Sequence, residues 1–416
     1  MNRPLHLDRD LTEPEPIPAA GLERANELMR SGRLFRYGEM GADQLDASLL
    51  EQEFAALIGR RYCVAVNSGG AALFLALKVA GVEPGDAVLV NGFTLAPVPG
   101  AIVHAAARPV IVEIGRDLTI DVADLSAKAA TSGARVLMLS HMRGHIADMD
   151  AVRAVCRDHA LTLIEDCAHA LGATWRGQAI GTLGAVGAFS AQTYKHLNAG
   201  EGGLLVTDDE RMAGRAILHS GSYMLHEQHL SRPDPRVLDE LSEATANFSM
   251  RMTSLAAAML RPQLAELPRR VARWRAIHAR IAAGLSGFQY VALPQCHPGA
   301  EPAPTSIQFS LQGLGADEIV SVLVHAKARG LPIKWFGAAR QTGFTSAPRH
   351  WRYAGEQSSL SRTHDALAGL CDIRTPVSLG DDDCDVIALI VRESIEAVVS
   401  ASAEAGRQPP PNATVG

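Results

Sequence analysis

The chain is short of lysine. Only five of its 39 basic residues are Lys: Lys78, Lys128, Lys195, Lys327 and Lys334. A chain so sparing with amines makes each one worth explaining. Cysteine is sparse and scattered, at positions 63, 156, 167, 296, 371 and 384, with no CxxC pair. That spacing argues against a zinc ribbon or a disulfide framework and for reduced thiols, so no metal site is expected. No apolar run nears the roughly 20 residues that span a bilayer. The opening MNRPLHLDRDLTEPEP is polar and acidic, unlike a secretory leader, and a cytoplasmic location is expected. Positive charge is not in excess either. A net charge of −6 excludes a polybasic surface for nucleic acid or membrane.

What the sequence has is core. Hydrophobic residues make up 47% of 416 positions, enough for two or three domains. Between 60 and 210, short Val- and Ile-rich runs recur at CVAVN, AVLVN, PVIVEI, RVLMLS, LTLIED, GAFSA and GLLVT. Helical stretches at 71–80, 96–106 and 148–159 separate several of them. Continuous apolar strands interleaved with helices indicate an α/β domain whose mainly parallel sheet is covered on both faces. Residues 252–285 read as a long helix, kinked at Pro262 or Pro268. After it, IQFSL, a helix at 316–329, LPIKW and a helix near 382–402 suggest a smaller α+β domain. The division expected is an N-terminal arm (1–40), a large domain (41–270), a small C-terminal domain (271–405) and a disordered tail (406–416).

Three features fall at the C-terminal ends of expected strands, the edge where open α/β sheets bind ligands. Ser68-Gly69-Gly70 lies between a strand and a helix. Small residues let the backbone approach an anion, and the helix start offers free N–H groups. In LTLIEDCAHALGA, Asp166 ends a buried strand and His169 follows three residues later. A carboxylate there can pair with a cationic ring nitrogen. In FSAQTYKHLNAGEGG, Ser190 and Gln192 precede Lys195 and a Gly-rich turn. A Lys between two strands is costly unless paired or used covalently, and such a Lys can form a Schiff base. Taken singly, each has a plainer reading: a Ser-capped turn, an Asp helix cap, a loop Lys. Together, a phosphate cradle, a carboxylate for a pyridinium and an amine are what pyridoxal 5′-phosphate needs.

The segments SGRLFRYG, LEQEFAALIGRRYCVAVNSGGAAL, GVEPGDAVLVNGFT, HMRGHIADMDAV, LIEDCAHALGATWRG, GTLGAVGAFSAQTYKHLNAGEGGLLVTDDE and MRMTSLAAAMLRPQL resemble the DegT/DnrJ/EryC1/StrS family of pyridoxal phosphate-dependent sugar aminotransferases. The resemblance covers about residues 15–285 and extends more weakly to 400; K-x4-GEGG is its most specific part. It implies a fold-type-I transferase, a homodimer with active sites at the subunit interface. It also implies an amino donor, glutamate or glutamine, and a keto sugar, nucleotide-linked keto sugar or cyclitol as acceptor, in secondary-metabolite or envelope-sugar synthesis. By position, Lys195 resembles the Schiff-base and proton-moving Lys, Asp166 the carboxylate on the ring nitrogen, and His169 a residue against the ring. Ser68, Gly69, Gly70, Ser190 and Gln192 match the phosphate cup. Asn247 or Ser249 would reach the partner's phosphate.

The chain departs from the family in three places. Gly70 stands where the family has Thr. Leu95 stands where an aromatic stacks on the ring, with Phe93 or His169 as candidate replacements. NFSMRM stands for N-Y-R-M. Gly70 and Leu95 motivate an alternative: elimination, dehydration or carbon–carbon bond formation on an amino acid by the same cofactor. Arg36 and Tyr37 are candidates for the substrate entrance and Lys334 for an acidic group. Arg143 and His145 read chiefly as supports of a turn.

Overall fold

The computed structural model describes residues 5–405; the expected disordered tail at 406–416 lies outside the described residues. Seven strands form the main sheet: β1 (Tyr62–Val66), β2 (Ala87–Asn91), β3 (Arg108–Val112), β4 (Val136–Ser140), β5 (Thr162–Asp166), β6 (Val186–Ser190) and β7 (Gly203–Thr207). Their order is β1-β7-β6-β5-β4-β2-β3. β3, β2, β4, β5 and β6 run parallel. Only β7 is antiparallel to its neighbours, β6 and β1. Every residue of β1, β2, β4 and β7 is buried, which is why these strands read as unbroken apolar runs rather than alternating ones.

Each face of the sheet carries its own core. On one side pack Leu50 and Phe54 of helix Asp46–Ile58, Val152 of Met149–Asp158, and Leu260 and Leu264 of Ser254–Leu285. On the other pack Leu75 and Leu77 of Gly69–Val79, Ile102 of Pro97–His104, and Ile217 of Glu210–Ser220. Four helices go beyond the sequence reading: Val122–Ser132, Glu210–Ser220, Pro235–Ser242 and Ser361–Ala368. The first three are capped by Asp121, Asp209 and Asp234, whose carboxylates accept from backbone N–H groups of the first turn. Those caps were the available signal.

The second sheet has four antiparallel strands: Val291–Ala292, Ser306–Leu311, Leu370–Arg374 and Lys334–Trp335, in that order. Helices Ala316–Ala328 and Asp381–Ala405 cover it. Helix Ser254–Leu285 runs unbroken through Pro262 and Pro268. As far as Trp274 it belongs to the main core, with Leu267, and from Ile277 on, with Ile281 and Leu285, to the small one. Packing from both ends overrides the local cost of the two prolines. Leu7 and Leu11 of the N-terminal segment are buried in the small core. The Leu7 N–H donates to Arg329 O at 2.9 Å.

Candidate active site

Parallel packing brings the C-terminal ends of β1, β4, β5 and β6 to one edge of the sheet. A cavity of about 640 Å³ opens there. It is lined by Ser68, Gly69, Gly70, Leu95, Asp166, His169, Ser190, Gln192 and Lys195, residues from four separate stretches of sequence.

Lys195 stands on the excursion 191–202 between β6 and β7. Backbone bonds tie this loop across its base: Ala191 N to Gly202 O at 2.8 Å, Ala199 N to Ala191 O at 3.0 Å and Thr193 N to Gly200 O at 3.2 Å. The half-buried amine is 2.7 Å from His169 Nε2. Burial lowers its pKa to about 7, helped by the charge of Arg143 and opposed by Asp166. His169 is held well below its ordinary value, by burial first and by Lys195 next. The imidazole is therefore neutral and accepts from the lysine. Its Nδ1 is buried without a hydrogen-bond partner.

Asp166 is 4% exposed at the end of β5. The Ser140 hydroxyl donates to its Oδ2 at 2.7 Å, and the Ala168 N–H donates to its Oδ1 at 3.1 Å. Ser140 faces Asp166 in register across β4 and β5. Sequence reasoning missed it, although its place at a strand end was visible. The neighbouring Glu165 points to the other face and is held by the N–H groups of Gly181, Leu183 and Gly184. Glu165 lies near His141 and Cys167 in the one potential metal-ligand cluster among the described residues. Both its carboxylate oxygens already accept hydrogen bonds, which explains the cluster without an ion.

The glycines at the cavity floor mark a tight approach. A Cβ on Gly69 would come within 2.7 Å of Ser190 Cβ and 2.9 Å of its Oγ. The Ser68 hydroxyl accepts from Ala71 N at 3.0 Å and caps helix Gly69–Val79, so its plainer role and its place in the cavity coexist. Gln192 Oε1 accepts from Tyr194 N at 3.0 Å. Leu95 lines the cavity. Phe93 does not replace the missing aromatic: it is 1% exposed and packs on Phe336, ring centroids 5.2 Å apart.

Other candidates lie elsewhere. Arg36 and Glu51 form a bidentate pair, both 0% exposed, with His229 on the same carboxylate. Tyr37 bonds His229 at 2.9 Å. Arg36 and Tyr37 are thus interior supports rather than entrance residues. Within one chain Asn247 does not reach the cavity; its Oδ1 accepts from Ser249 N at 2.9 Å. That segment runs beside the end of β1, where Asn67 N donates to Met250 O at 2.8 Å. Lys334 pairs at 3.7 Å with buried Asp372. Two cavity residues had been read otherwise or passed over. Arg143, 7% exposed, and Arg374, stacked on the Tyr194 ring at 3.6 Å, both line it.

The residues suit pyridoxal phosphate. The orphaned His169 Nδ1, the buried carboxylate of Asp166, an amine of lowered pKa and a glycine cradle for an anion occupy one cavity.

The model of the DegT/DnrJ/EryC1/StrS aminotransferase family matches residues 18–387. The dTDP-3-amino-3,4,6-trideoxy-alpha-D-glucose transaminase of Streptomyces venezuelae is 34% identical over 324 residues, 76% of this chain and 80% of that protein. The Bacillus subtilis spore coat polysaccharide biosynthesis protein SpsC is 39% identical over 206 residues, 49% of this chain and 51% of its own length. The chain thus spans about half the length of several curated relatives it matches. Among solved structures, S. venezuelae DesV in complex with a ketimine intermediate has TM-score 0.76 and 30% identity, covering 91% of this chain and 95% of that one.

Proposed function

The chain belongs to the DegT/DnrJ/EryC1/StrS aminotransferase family, and from that premise we propose that it moves an amino group from glutamate or glutamine to a keto acceptor. The acceptor class is a keto sugar, nucleotide-linked keto sugar or cyclitol of secondary-metabolite or envelope-sugar biosynthesis. The cofactor is pyridoxal 5′-phosphate. The observation that carries this reading is the meeting of Lys195, His169 and Asp166 with the Gly69–Gly70 cradle in one cavity.

Pyridoxal phosphate supplies an aldehyde that captures amines and a ring that accepts electrons. The chain's residues do the rest. Ser68, Gly69, Gly70, Ser190 and Gln192 would hold the phosphate, with Asn247 of a second copy contributing across a dimer interface. Asp166, oriented by Ser140 and Ala168, would keep the ring nitrogen protonated. Lys195 titrates near neutrality, so its free amine both attacks and carries a proton. His169, neutral and within hydrogen-bond reach, would orient that amine against the ring. Leu95 would pack on the ring without aromatic stacking. Residues 41–270 would hold the cofactor and 271–405 would shape the substrate side, with 1–40 as the connecting arm.

A homodimer is supported by exposed Phe35, Tyr223 and Met224, 53%, 59% and 61% accessible. Arg251 bridges the first two rings, which makes them one apolar patch. A cytoplasmic location is in keeping with this chemistry. Among the described residues no helix is long and apolar enough to cross a membrane.

The test is direct. Borohydride should fix the cofactor on Lys195; a label on another Lys refutes the assignment. L-glutamate or L-glutamine should bleach the cofactor's visible band with release of a 2-oxo acid. Turnover of a single amino acid with no acceptor would favour the non-transaminating alternative.

A further inference from the structure

Residues 5–17 precede the stretch that matches the family, yet they are fastened at both ends. At one end Leu7 and Leu11 are buried in the small core. The Leu7 carbonyl passes over Gly330, where a Cβ would stand 2.3 Å from it. Arg9 donates to Asp383 of helix Asp381–Ala405 at 3.1 Å. Asp10 then turns the chain, its carboxylate accepting from the N–H and the hydroxyl of Thr12, both at 2.7 Å. At the other end Glu15 pairs with Arg270 Nε at 2.7 Å and with Arg269 at 3.3 Å. Arg270 lies between Leu267 and Val271 of the main core, so the segment straps the small sheet's helices to the large domain.

Arg270 is where this strap meets the loop that carries the amine. It is 4% exposed. Its Nη1 donates to Gln263 Oε1 at 3.1 Å and approaches His196 O at 3.5 Å. Buried Gln263 accepts from Asn198 N at 2.9 Å and donates to Asn198 O at 2.7 Å. The first and third residues after Lys195 therefore hang on Arg270 and Gln263. A buried guanidinium keeps its place only with its counter-charge. Glu266, on the same helix, is a second carboxylate at 3.2 Å, but it is more exposed than Glu15. Residues 12–15 of the strap line a second, small cavity of about 60 Å³ that Lys195 lines too.

We propose that Glu15 is a positioning residue for Lys195: it seats Arg270 against the backbone of His196 and Asn198 and so holds the amine against His169. No residue of the strap lines the cofactor cavity, so its effect on the amine runs through the loop. The inference rests on Lys195 being the working amine of the proposed function.

The test reads the amine in the cofactor-free, full-length protein. Trace acetic anhydride labels Lys195 across a pH series, and peptide mass spectrometry resolves it from the four other lysines. In wild type the midpoint should lie near 7, set by burial, with Arg143, Asp166 and Arg374 the charges that face the amine and His169 against it. E15Q should loosen the loop, admit water and raise the midpoint by about one unit towards the ordinary 10.5. The midpoints of Lys78 and Lys128 should not move, and E266Q should shift Lys195 less than E15Q does. E15D keeps the charge but sets it back by one methylene, and should fall between wild type and E15Q. It also carries the test should E15Q not fold. In holoenzyme, E15Q should lower kcat about 10-fold with KM for L-glutamine within about twofold. A wild-type Lys195 midpoint in the variant that folds makes Glu15 a stabilising residue only and overturns the proposal, as does an E266Q shift equal to that of E15Q. Labelling needs no turnover, so an unmoved midpoint leaves the proposed function standing. A raised midpoint in E15Q, where the wild type releases no 2-oxo acid from L-glutamate or L-glutamine, sinks the proposed function alone.

Discussion

Replacing Lys195 by Met should stabilise the cofactor-free protein. The amine's ordinary pKa of 10.5 falls to about 7 in the fold. Each unit corresponds to about 1.4 kcal/mol, so charging this amine costs the folded state at most about 5 kcal/mol. Water in an open cavity relaxes part of that, leaving about 2–3 kcal/mol. Below pH 7 the amine is charged in both folded and unfolded chains and the folded state bears the full cost. Between pH 7 and 10.5 the folded chain has released the proton and the unfolded chain has not, so wild-type stability rises with pH. Met has a similar length and no charge. Urea unfolding should therefore give K195M a higher midpoint at pH 6.5, with the gap narrowing by pH 9.5. Equal gaps at the two pH values, or a less stable K195M at pH 6.5, would refute the argument. The same side chain would thus be destabilising in the fold and required by the chemistry.

Two further outcomes follow from single contacts. Gly69→Ala places a Cβ 2.7 Å from Ser190 Cβ and should weaken pyridoxal phosphate binding more than about 10-fold by fluorescence titration, with a change in melting temperature of only a few degrees. Glu51→Gln should cost about 3–5 kcal/mol in urea unfolding, because it strands the buried Arg36 guanidinium. Glu51 is held at about 2, burial being outweighed by Arg36 and His229. Wild type should lose this margin as pH falls from about 4.5 towards 2, and E51Q should show a shallower acid slope.

Much of the fold was legible because its physics is local or periodic. A strand buried on both faces must be apolar throughout, so AVLVN and GLLVT announce themselves. The short helices were less legible, since eight to eleven residues give few turns of periodicity and Asp121, Asp209 and Asp234 were their main marks. The cavity residues from Ser68 to Lys195 were legible because each sits at the end of a strand, where a parallel sheet gathers its loops. Arg36 and Phe93 were misplaced for one reason: a charged or aromatic residue in a loop looks accessible until its partners are known. Arg36 has Glu51 and His229, and Phe93 has Phe336.

By itself the sequence determined the order of strands and helices, the family, and the one lysine out of five whose flanks fit an amine held between strands. Arg can replace a surface lysine but cannot form a Schiff base, so a lysine-poor chain still needed one at 195. Tertiary structure alone decided which charges face that amine. Arg143 and Arg374 are 231 positions apart in the chain, one in the turn after β4 and the other at the end of a small-sheet strand, and no local pattern links them. Only the packing of the small sheet over the edge of the large one brings their guanidinium groups to one wall, where burial and charge set the state of Lys195.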